Sequence, residues 1–549
     1  MPVAATYTCP DGTPFPVEWP EAEMADYGWR WDQMHCPVPL TPLAQDFGEI
    51  LGDGFSRAMD MSGAPARGTR MYANGYFYMR MVPFADDPAV RGAIRKRDLE
   101  ERLDRILDIF EREYRPEVEA LTRSLVMFDS PALTLPEIMA RWDQVEVARL
   151  RLGVLHMLIM APISVAGNRF IDFCLHEFGP GGERLASELM AGLPNKSLES
   201  AVGLWNLSRV ALDHAGVAEL LRQVKPAEFL RRVESVPGGA EFIDLFARYL
   251  REYGLRAESF TELADPTWQE DPRFPLFLIR RYLDAPDHSS PAMMHNRTAQ
   301  LREERTAEIE ERLAHDPAML DKFRCWHKSA LQRTILLEDH NYYIDQRATV
   351  AMRVPCLAAG RELVRFGIVD LAEDVFYLHT VELRQAAADE SLRFQPLVVE
   401  RRAERQRWTR VLPPLGIGSA ALSPLDLASE RFFGTFSDEP PEPGTLKGVA
   451  GSPGLFRGVA RKILSLSDID RLEAGDILVT YATAPPWTPL FAVAGAIVTD
   501  AGGTLSHCAV VAREYGIPAV VGCRTATAMI EDGQLITVDG TAGVVRIDG

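Results

Sequence analysis

Residues 502–514 read Gly-Gly-Thr-Leu-Ser-His-Cys-Ala-Val-Val-Ala-Arg-Glu, and they decide the fold of the C-terminal part of the chain. The glycine pair frees the backbone for a tight turn. Thr504 and Ser506 are helix-capping residue types, and the run 508–515 predicts a short helix. His507 is therefore expected at or just inside a helix N-terminus, where unpaired backbone N–H groups and the helix dipole favour an anion.

Two interpretations of His507 follow from this position. A histidine beside such donors is a candidate carrier of a phosphoryl group, whose oxygens the N–H groups would stabilise. Alternatively, His507 only caps a helix in a small α/β domain. Residues 516–522, Gly-Ile-Pro-Ala-Val-Val-Gly, end the helix and begin a buried strand. Short apolar runs with helices between them predict an α/β module with strands at 459–464, 477–481, 496–499, 519–521, 535–538 and 544–547.

The composition is that of a soluble chain with several domains. Its 549 residues exceed one ordinary domain, and 47% of them are hydrophobic. A net charge of −19 argues against nucleic acid or an anionic membrane as partner. The seven cysteines form no CxxC pair, so neither a disulfide framework nor a zinc site is indicated. No signal peptide is evident, and the longest apolar run, 154–166, is too short to cross a bilayer, so we expect a cytoplasmic protein.

Changes in pattern along the chain predict four regions. Residues 1–95 are irregular and aromatic, of α+β character. Residues 96–411 carry helical periodicity and predict a mainly α-helical domain. Residues 412–447 are rich in proline, glycine and acids and predict a solvated linker. Residues 448–549 form the α/β module.

Two local patterns have a structural and a functional interpretation. Asn74-Gly75, between aromatic runs, predicts a β-hairpin, and we interpret it as a structural turn under an aromatic patch. Cys174 and His176 suggest a metal pair, but no further ligand stands at a usable spacing. We therefore assign no metal site from the sequence.

A polar segment at 337–347 interrupts the apolar pattern of the helical region. At 100° per residue, one face of a helix here would carry Glu338, Asn341, Tyr342, Asp345 and Thr349, and another would carry His340, Tyr343 and Arg347. Such a polar stripe is costly inside a helical domain unless it faces water or a ligand. Both possibilities stay open at this point.

Residues 502–522 resemble the phosphohistidine domain, also called the PEP-utilising mobile domain, with a signature similar to GG-x-x-[ST/C]-H-x-A-[VI]-[VI]-A-R-E-x-G-[IL]-P-A-V-V-G. Phosphoenolpyruvate synthase, pyruvate phosphate dikinase, rifampicin phosphotransferase and phenylphosphate synthase carry this domain. Cys508 stands where the family usually has a small residue such as alanine, and residues 475–479 and 488–500 also resemble the family. The resemblance implies a swivelling domain in which His507 carries the phosphoryl group, with Thr504 and Ser506 as further catalytic residues. It also implies that Gly502, Gly503 and Arg513 bind the phosphate.

The resemblance is weaker in the helical region. Residues 253–256, Tyr-Gly-Leu-Arg, followed by 268–272, resemble a segment that in these phosphotransferases runs Gly-His-Arg and then Pro-Arg-Trp-x-Glu-x-Pro. Leu255 replaces the usual histidine, which puts an imidazole role in doubt but leaves Arg256 for an anion. Residues 360–378 also resemble the substrate region of the family.

The resemblance implies a phosphotransferase component similar to the substrate-plus-histidine subunit of two-component phenylphosphate synthases. No glycine-rich phosphate loop or ATP-grasp-like segment is recognisable in residues 1–430. We therefore expect ATP and Mg²⁺ at a separate ATP-grasp partner, and a small hydroxylated organic acceptor such as a phenol or an alcohol. Transfer needs a base and cations. Candidates for the base are Glu338, His340 and Asp345, and candidates for phosphate binding are Arg256 and Arg347.

The rival hypothesis is a non-catalytic phosphohistidine carrier or regulatory protein, whose helical region serves as a docking surface for partners. A deep polar pocket among residues 30–400 would favour the enzyme. A tightly filled helical core would favour the carrier.

Overall fold

The computed structural model describes residues 3–130, 133–421, 444–504 and 506–548. The chain divides into two units. Unit 1 comprises Met1–Pro162, Ser259–Asp265 and Tyr343–Ala428. Unit 2 comprises Ile163–Glu258, Pro266–Tyr342 and Ser429–Gly549. Most of the predicted linker, residues 422–443, lies outside the described residues.

Unit 1 contains two antiparallel sheets. Its strands are β1 (Val3–Thr8), β2 (Pro14–Trp19), β3 (Trp29–Trp31), β4 (Ala66–Ala73), β5 (Tyr76–Pro83) and β6 (Gly416–Ile417). The strands β1 and β2 pair with each other, and the other four have the order β4-β5-β3-β6. Strand β6 lies within the start of the predicted linker. That part of the chain therefore forms an edge strand in unit 1 and is not a solvated linker.

The hairpin predicted at Asn74-Gly75 is confirmed. Both residues have left-handed backbones, with φ of 51° and 81°, as a two-residue type I′ turn requires. Behind the turn, Tyr76 and Tyr78 are buried in an aromatic cluster, and their hydroxyls find partners. The Tyr76 hydroxyl donates to the Trp408 carbonyl at 2.8 Å. The hairpin is therefore part of the core of unit 1, as its structural interpretation requires.

Helices supply the rest of unit 1. The helical pattern predicted over 95–123 is broken into several segments, one of them a π-helical turn at Phe110–Tyr114. The α-helices are Pro42–Met61, Pro88–Arg102, Ile106–Ile109, Arg115–Val126, Leu135–Ala140, Thr349–Ala351, Arg353–Arg365, Thr380–Ala388 and Gln395–Thr409. Two further helical segments hold residues of both units, Trp142–Phe178 and the π-helical Asn341–Ala348.

The first part of unit 2 is built from helices, so the prediction of a mainly α-helical central region is confirmed. Its α-helices are Gly182–Met190, Lys196–Asp213, Ala215–Gln223, Pro226–Arg232, Gly239–Tyr253, Arg273–Tyr282, Pro291–Leu313 and Pro317–His340.

The predicted C-terminal α/β module is also confirmed. Its strands are β7 (Thr445–Lys447), β8 (Val449–Ser452), β9 (Leu455–Lys462), β10 (Ile477–Thr480), β11 (Ala496–Thr499), β12 (Ala519–Val521), β13 (Leu535–Asp539) and β14 (Val544–Ile547). They form one sheet of order β7-β14-β13-β9-β10-β11-β12-β8. Within this sheet, β10 is parallel to both β9 and β11, and β11 is parallel to β12. The helices His507–Tyr515 and Ala526–Met529 complete the module.

The module shares a buried apolar cluster with the helices of unit 2. Trp205, Phe277 and Tyr282 of the helices belong to the same cluster as Leu490 and Phe491 of the module. The Tyr282 hydroxyl also donates to the Pro489 carbonyl at 3.0 Å. Because burial of apolar side chains is the main stabilising contribution to such contacts, the α/β module is docked on the helices of unit 2.

One helical stretch, Trp142–Met190, is long and apolar enough to cross a membrane by length and composition alone. Of its most apolar window, 56% is buried inside the structure. A buried core helix meets the same test, so this single stretch is weak evidence for a membrane span.

The C-terminal end of the His507 helix gives a test of the fold. Gly516 has a φ of 64° and open space around its Cα, so only backbone strain opposes a side chain there. We predict that Gly516→Ala lowers the free energy of unfolding of the module by about 1 kcal/mol, and Gly516→Asn by less, because Asn tolerates the left-handed region. Native-state hydrogen exchange of the β11 amides measures both changes. An Ala variant as stable as the parent would contradict the assigned backbone.

Candidate functional site

His507 lies at the crossover between two neighbouring parallel strands. The chain leaves β11, forms the helix His507–Tyr515 and returns as β12 beside β11. In open α/β sheets, ligands bind beyond the carboxyl ends of the parallel strands, which is where this helix begins. The sequence predicted the helix from residue 508, and the structure begins it at His507.

The turn before the helix fits its glycine-rich sequence. Gly502 has a φ of 118°, and a Cβ atom there would lie 2.8 Å from the Ser506 Oγ, so the position requires glycine. Ser506 is the N-cap residue, and its side chain accepts from the Ala509 N–H at 3.5 Å. Its own N–H donates to the Gly503 carbonyl at 3.0 Å. The predicted capping role of Ser506 is confirmed.

Arg513 stabilises this turn from inside the helix. Its Nη1 and Nη2 donate to the carbonyls of Gly451 and Thr504, each at 2.7 Å. Burial lowers the pKa of Arg513 to about 10, so the side chain stays charged at neutral pH. Since both terminal nitrogens are engaged by the backbone, Arg513 stabilises the turn, which differs from the phosphate contact expected from the sequence. The Thr504 hydroxyl is also engaged, donating to Glu183 Oε1 at 3.0 Å.

The imidazole of His507 is held on both of its nitrogens. Nδ1 lies 2.8 Å from Glu338 Oε1, and Nε2 lies 3.2 Å from the Thr488 Oγ1. An ionised carboxylate only accepts hydrogen bonds, so Nδ1 carries the hydrogen and Nε2 presents its lone pair. The side chain of His507 is 11% exposed. This tautomer makes Nε2 the nucleophilic atom of the ring.

Glu338 is a buried carboxylate with two hydrogen-bond donors. Its residue is 1% exposed, and the Ser197 hydroxyl donates to Oε2 at 2.7 Å. Burial acts to raise its pKa, but the charge of His507 and the hydrogen bonds from His507 and Ser197 hold the pKa of Glu338 below its usual value. A carboxylate with a lowered pKa is a weak base, so this geometry suits Glu338 to position His507 and not to accept a substrate proton.

Arg256 is a fully buried cation in the same unit. None of its three guanidinium nitrogens has a hydrogen-bond partner among the described residues. Its guanidinium carbon lies 5.2 to 5.9 Å from the ring centres of Tyr253, Trp268 and Tyr342. Burial lowers the pKa of Arg256, while nearby phenols and the Glu338 carboxylate act to raise it. An unpaired buried charge of this kind is costly, and an anionic ligand would satisfy it.

Arg333 is a second buried cation close to Glu338. It packs so tightly on Gly167 that a Cβ atom added there would lie 2.4 Å from its Cδ. Burial and the charge of Arg513 lower its pKa to about 10, and Glu338 acts to raise it. Arg256 and Arg333 therefore give the surroundings of Glu338 an excess of positive charge.

The other residues singled out in the sequence lie apart from this contact. His340 is buried, and its Nδ1 lies 2.6 Å from the Leu336 carbonyl of the preceding helical turn. Asp345 belongs to unit 1, where its Oδ1 lies 2.9 Å from His156 Nδ1. Arg347 also belongs to unit 1 and is half-buried in the π-helical segment. Of the three candidate bases, Glu338 is the one that contacts His507.

The predicted common face of residues 338–349 is wrong. That prediction assumed 100° per residue throughout, whereas Asn341–Ala348 is π-helical and has more residues in each turn. Glu338 contacts His507 in unit 2, while Asp345 contacts His156 in unit 1. Both carboxylates are buried, so the solvent-facing interpretation of the polar segment is wrong as well.

Cys174 and His176 do not form a pair. Cys174 is buried, and burial raises the pKa of its thiol to about 12. His176 is exposed, and its Nδ1 lies 2.8 Å from Glu177 of the same helix. Because the Cys174 side chain is buried and the His176 side chain is exposed, the two do not face a common metal ion.

Three residues of the site were missed in the sequence, namely Ser197, Arg333 and Thr488. Thr488 lies in a stretch, 488–500, that already resembled the mobile domain, so its position beside His507 could have been inferred from that resemblance. Ser197 follows the N-cap of a helix and Arg333 lies within one, and neither stands in a recognisable motif.

Two family descriptions match separate parts of the chain. Residues 472–543 match the PEP-utilising enzyme mobile domain, which includes His507 and Thr488. Residues 156–335 match the rifampicin phosphotransferase fourth domain, which includes Ser197, Arg256 and Arg333. Glu338, which contacts His507, lies just beyond the second matched region, while Ser197, its other hydrogen-bond partner, lies within that region.

Similar proteins agree with these matches. The chain is 35% identical to the chondramide synthase cmdD of Chondromyces crocatus over 97% of its own length and 14% of that protein. It is 31% identical to the uncharacterised phosphotransferase YvkC of Bacillus subtilis over 66% of its length and 43% of that protein. It is 35% identical to a rifampicin phosphotransferase of Streptomyces over 67% of its length and 42% of that protein.

The chain thus spans less than half the length of these curated relatives. Residues 472–543 are therefore similar to the mobile domain of PEP-utilising enzymes, and residues 156–335 are similar to the fourth domain of rifampicin phosphotransferases.

Proposed function

We propose that this chain is a phosphotransferase component in which Nε2 of His507 accepts a phosphoryl group and passes it to the hydroxyl of a small organic acceptor. One observation carries the proposal. The His507 ring stands at a helix N-terminus with Nδ1 held by buried Glu338, which leaves Nε2 as the nucleophile. The similarity to named phosphotransferases supports the same reaction class.

The phosphoryl donor in this proposal is ATP with Mg²⁺, bound by a separate ATP-grasp partner. By family resemblance, the partner sends the β-phosphoryl group to His507 and releases AMP and phosphate. We assign no residue of this chain to ATP or Mg²⁺. The support for this step is the resemblance of the mobile domain, whose relatives receive the group in this way.

The second step returns the group from His507 to an acceptor. The acceptor oxygen forms the new O–P bond with a lone pair, while the Nε2–P bond breaks and its electron pair returns to the ring. Because Nδ1 keeps its hydrogen, the ring leaves as a neutral imidazole. Glu338 would keep that hydrogen on Nδ1 by balancing the positive charge of the phosphorylated ring, so that the ring is a neutral leaving group. His340, which belongs to unit 2, remains a candidate base for the hydroxyl proton.

Arg256 and Arg333 are the residues proposed to hold the phosphoryl oxygens. Phosphoryl transfer spreads negative charge over three oxygens, and positioned cations stabilise that charge. The unpartnered guanidinium of Arg256 supports this role, because a phosphoryl group would complete its hydrogen bonds. It also favours the enzyme over the rival hypothesis of a passive carrier, which needs no buried cation near Glu338.

The mobile domain is proposed to move relative to the helices of unit 2. One histidine cannot occupy a donor site on a partner and a second site in this chain at the same time, so its domain has to swing between them. The name of the Streptomyces relative supports the choice of a first acceptor to test. Rifampicin is that compound.

The carrier role of His507 is directly testable. We predict that the chain, incubated with Mg²⁺, an ATP-grasp partner and ATP labelled in the β-phosphate, gains one acid-labile, base-stable phosphoryl group. His507→Ala should remain unlabelled, because the carrier nitrogen is missing. Omission of the partner should abolish the label as well. A label that survives in the Ala variant would show that another residue carries the group.

A substitution at Glu338 should affect phosphoryl transfer to the acceptor without affecting the loading of His507. We predict that Glu338→Gln is loaded by the partner at the parent rate but transfers to an acceptor such as rifampicin at least about 100-fold more slowly, because the charged imidazole ring loses its counter-charge. Glu183→Gln is the matched control, since Glu183 also contacts the mobile domain but touches Thr504 instead of the ring. Equal transfer rates in both variants would remove Glu338 from the mechanism.

A further inference from the structure

A carboxyl group of the mobile domain is buried where this domain meets the helices of unit 2. Glu514 belongs to the helix His507–Tyr515 and is 6% exposed. Its Oε1 is buried and has no hydrogen-bond partner among the described residues. The backbone carbonyl of Glu514 accepts from the Thr298 hydroxyl at 3.0 Å, and Thr298 lies in the helix Pro291–Leu313. The carboxyl group therefore lies at the docking interface without a partner for one of its oxygens.

The apolar residues around Glu514 show that docking encloses it. On the same helix, Val511, Ala512 and Tyr515 belong to the buried cluster that the mobile domain shares with the helices of unit 2. The Tyr515 hydroxyl is also buried and has no hydrogen-bond partner among the described residues. Removal of the helices would therefore bring this end of the mobile domain, with Glu514, into contact with water.

Two nearby cations are engaged elsewhere. Arg513, the neighbour of Glu514 in sequence, donates to the carbonyls of Gly451 and Thr504. Arg302 of the helix Pro291–Leu313 donates to the Ala191 carbonyl at 3.0 Å. Neither guanidinium group is therefore positioned to form a close ion pair with Glu514.

The surrounding charges favour a neutral Glu514. Burial raises the pKa of Glu514 to about 8, and the charge of Glu338 acts in the same direction. The charge of Arg513 and a hydrogen bond from Asn195 oppose this shift without cancelling it. An ionised carboxylate that is buried with an unpaired oxygen is costly, and a carboxyl group in such a place takes up a proton instead.

Other titratable or charged side chains lie in the same part of unit 2. They are His507, Arg513 and Tyr515 of the mobile domain, and Arg256, Arg302, Arg333, Glu338 and Asp339 of the helical part. Burial raises the pKa of Asp339 to about 7, and its Oδ1 accepts from the Lys196 N–H at 2.9 Å. Since Asp339 and Lys196 both belong to the helical part, a substitution at Glu514 separates the two carboxyl groups experimentally.

We propose that Glu514 is protonated while the mobile domain is docked on the helices of unit 2, and that it releases this proton when the domain leaves them. Docking then consists of the binding of the two surfaces and the uptake of one proton by the Glu514 carboxylate. The proposal rests on the proposed function in one respect, namely that the mobile domain moves. It identifies Glu514 as a residue that couples this movement to pH.

A neutral Glu514 suits a site that receives a phosphoryl group. Such a group brings negative charge to His507, next to the carboxylate of Glu338. An ionised Glu514 would add a further negative charge to the same interface and oppose docking of the loaded carrier. The proton on Glu514 removes that repulsion.

The sign of the pH dependence follows from the two states of Glu514. Below the usual pKa of a glutamate, the carboxyl group is protonated in both states, and docking is strongest. Between that value and the docked pKa of about 8, the undocked carboxyl is ionised, and each pH unit weakens docking by about tenfold. Above the docked pKa the carboxylate is ionised in both states, and the decline ends.

The first test detects the proton itself. Infrared spectroscopy of the full chain distinguishes a protonated carboxyl group from a carboxylate. At about pH 6.5 we expect a protonated-carboxyl band that is missing in Glu514→Gln, and we expect the parent to lose this band only as the pH approaches about 8. Glu183→Gln is the matched control, since Glu183 also contacts the mobile domain, and it should keep the band. Identical spectra of the parent and Glu514→Gln in this region would overturn the proposal.

The second test measures docking. Fluorescence energy transfer between dyes on two exposed residues, Arg251 of the helices and Glu531 of the mobile domain, reports the ratio of docked to undocked chains. All variants carry Tyr282→Phe, which removes the hydrogen bond to Pro489 and weakens docking. We expect this ratio to fall at least about tenfold from about pH 6 to about pH 8 when Glu514 is present.

The variant at Glu514 isolates the proposed proton. With Glu514→Gln, which has nearly the shape of the protonated side chain, the ratio should change by less than about threefold over the same pH range. With Glu183→Gln it should fall as it does in the parent. The proposal is overturned if the Glu514→Gln ratio falls in parallel with that of the parent. It is equally overturned if docking of the parent does not respond to pH.

Neither test involves phosphoryl transfer. A chain that shows the Glu514 proton but is never labelled at His507 would retain this inference and lose the proposed phosphotransferase function. A chain that is labelled at His507, but whose infrared spectrum and docking do not depend on Glu514, would retain the function and lose this inference.

Discussion

The structure of unit 2 depends on the hydrogen bond between His507 Nδ1 and Glu338 Oε1. A carboxylate buried to this extent is costly unless its oxygens are paired, and here one oxygen accepts from His507 and the other from Ser197. The imidazole in turn has one nitrogen committed to Glu338. The ionised state of Glu338 and the tautomer of His507 therefore determine each other.

The packing of unit 2 brings these two groups together. The apolar cluster shared by the helices and the mobile domain supplies the non-directional part of the contact. Directional hydrogen bonds surround this cluster. The Thr504 hydroxyl donates to Glu183, and the Ser465 hydroxyl donates to Glu258 at 2.8 Å. Arg256 and Arg333 are buried cations near Glu338, where the carboxyl groups of Asp339 and Glu514 also lie. No guanidinium nitrogen of Arg256 has a hydrogen-bond partner among the described residues.

Much of the module could be predicted from local sequence. The strands at 496–499, 519–521 and 544–547 have the predicted bounds, because short apolar runs between turn residues are typical of strands. The helix at His507 was predicted from its capping residues and glycines. These features depend on neighbouring residues, which a single sequence shows directly.

The partners of His507 could not be predicted in the same way. Glu338 lies 169 residues before His507, and their contact depends on docking of the mobile domain. Periodicity failed at Asn341–Ala348, where π-helical turns separate the surroundings of Asp345 from those of Glu338. The resemblance placed Arg513 near phosphate, but two backbone carbonyls use its nitrogens. Strand β6 was missed because it is short and the neighbouring prolines indicated a linker.

The central claim is that Nε2 of His507 carries the phosphoryl group while Nδ1 keeps its hydrogen for Glu338. Phosphorus and nitrogen NMR of the phosphorylated chain distinguishes the two isomers of phosphohistidine directly. The account predicts a single isomer, with phosphorus bonded to Nε2 and hydrogen on Nδ1. Phosphorus bonded to Nδ1 would contradict it, because that atom could then no longer donate its hydrogen to Glu338.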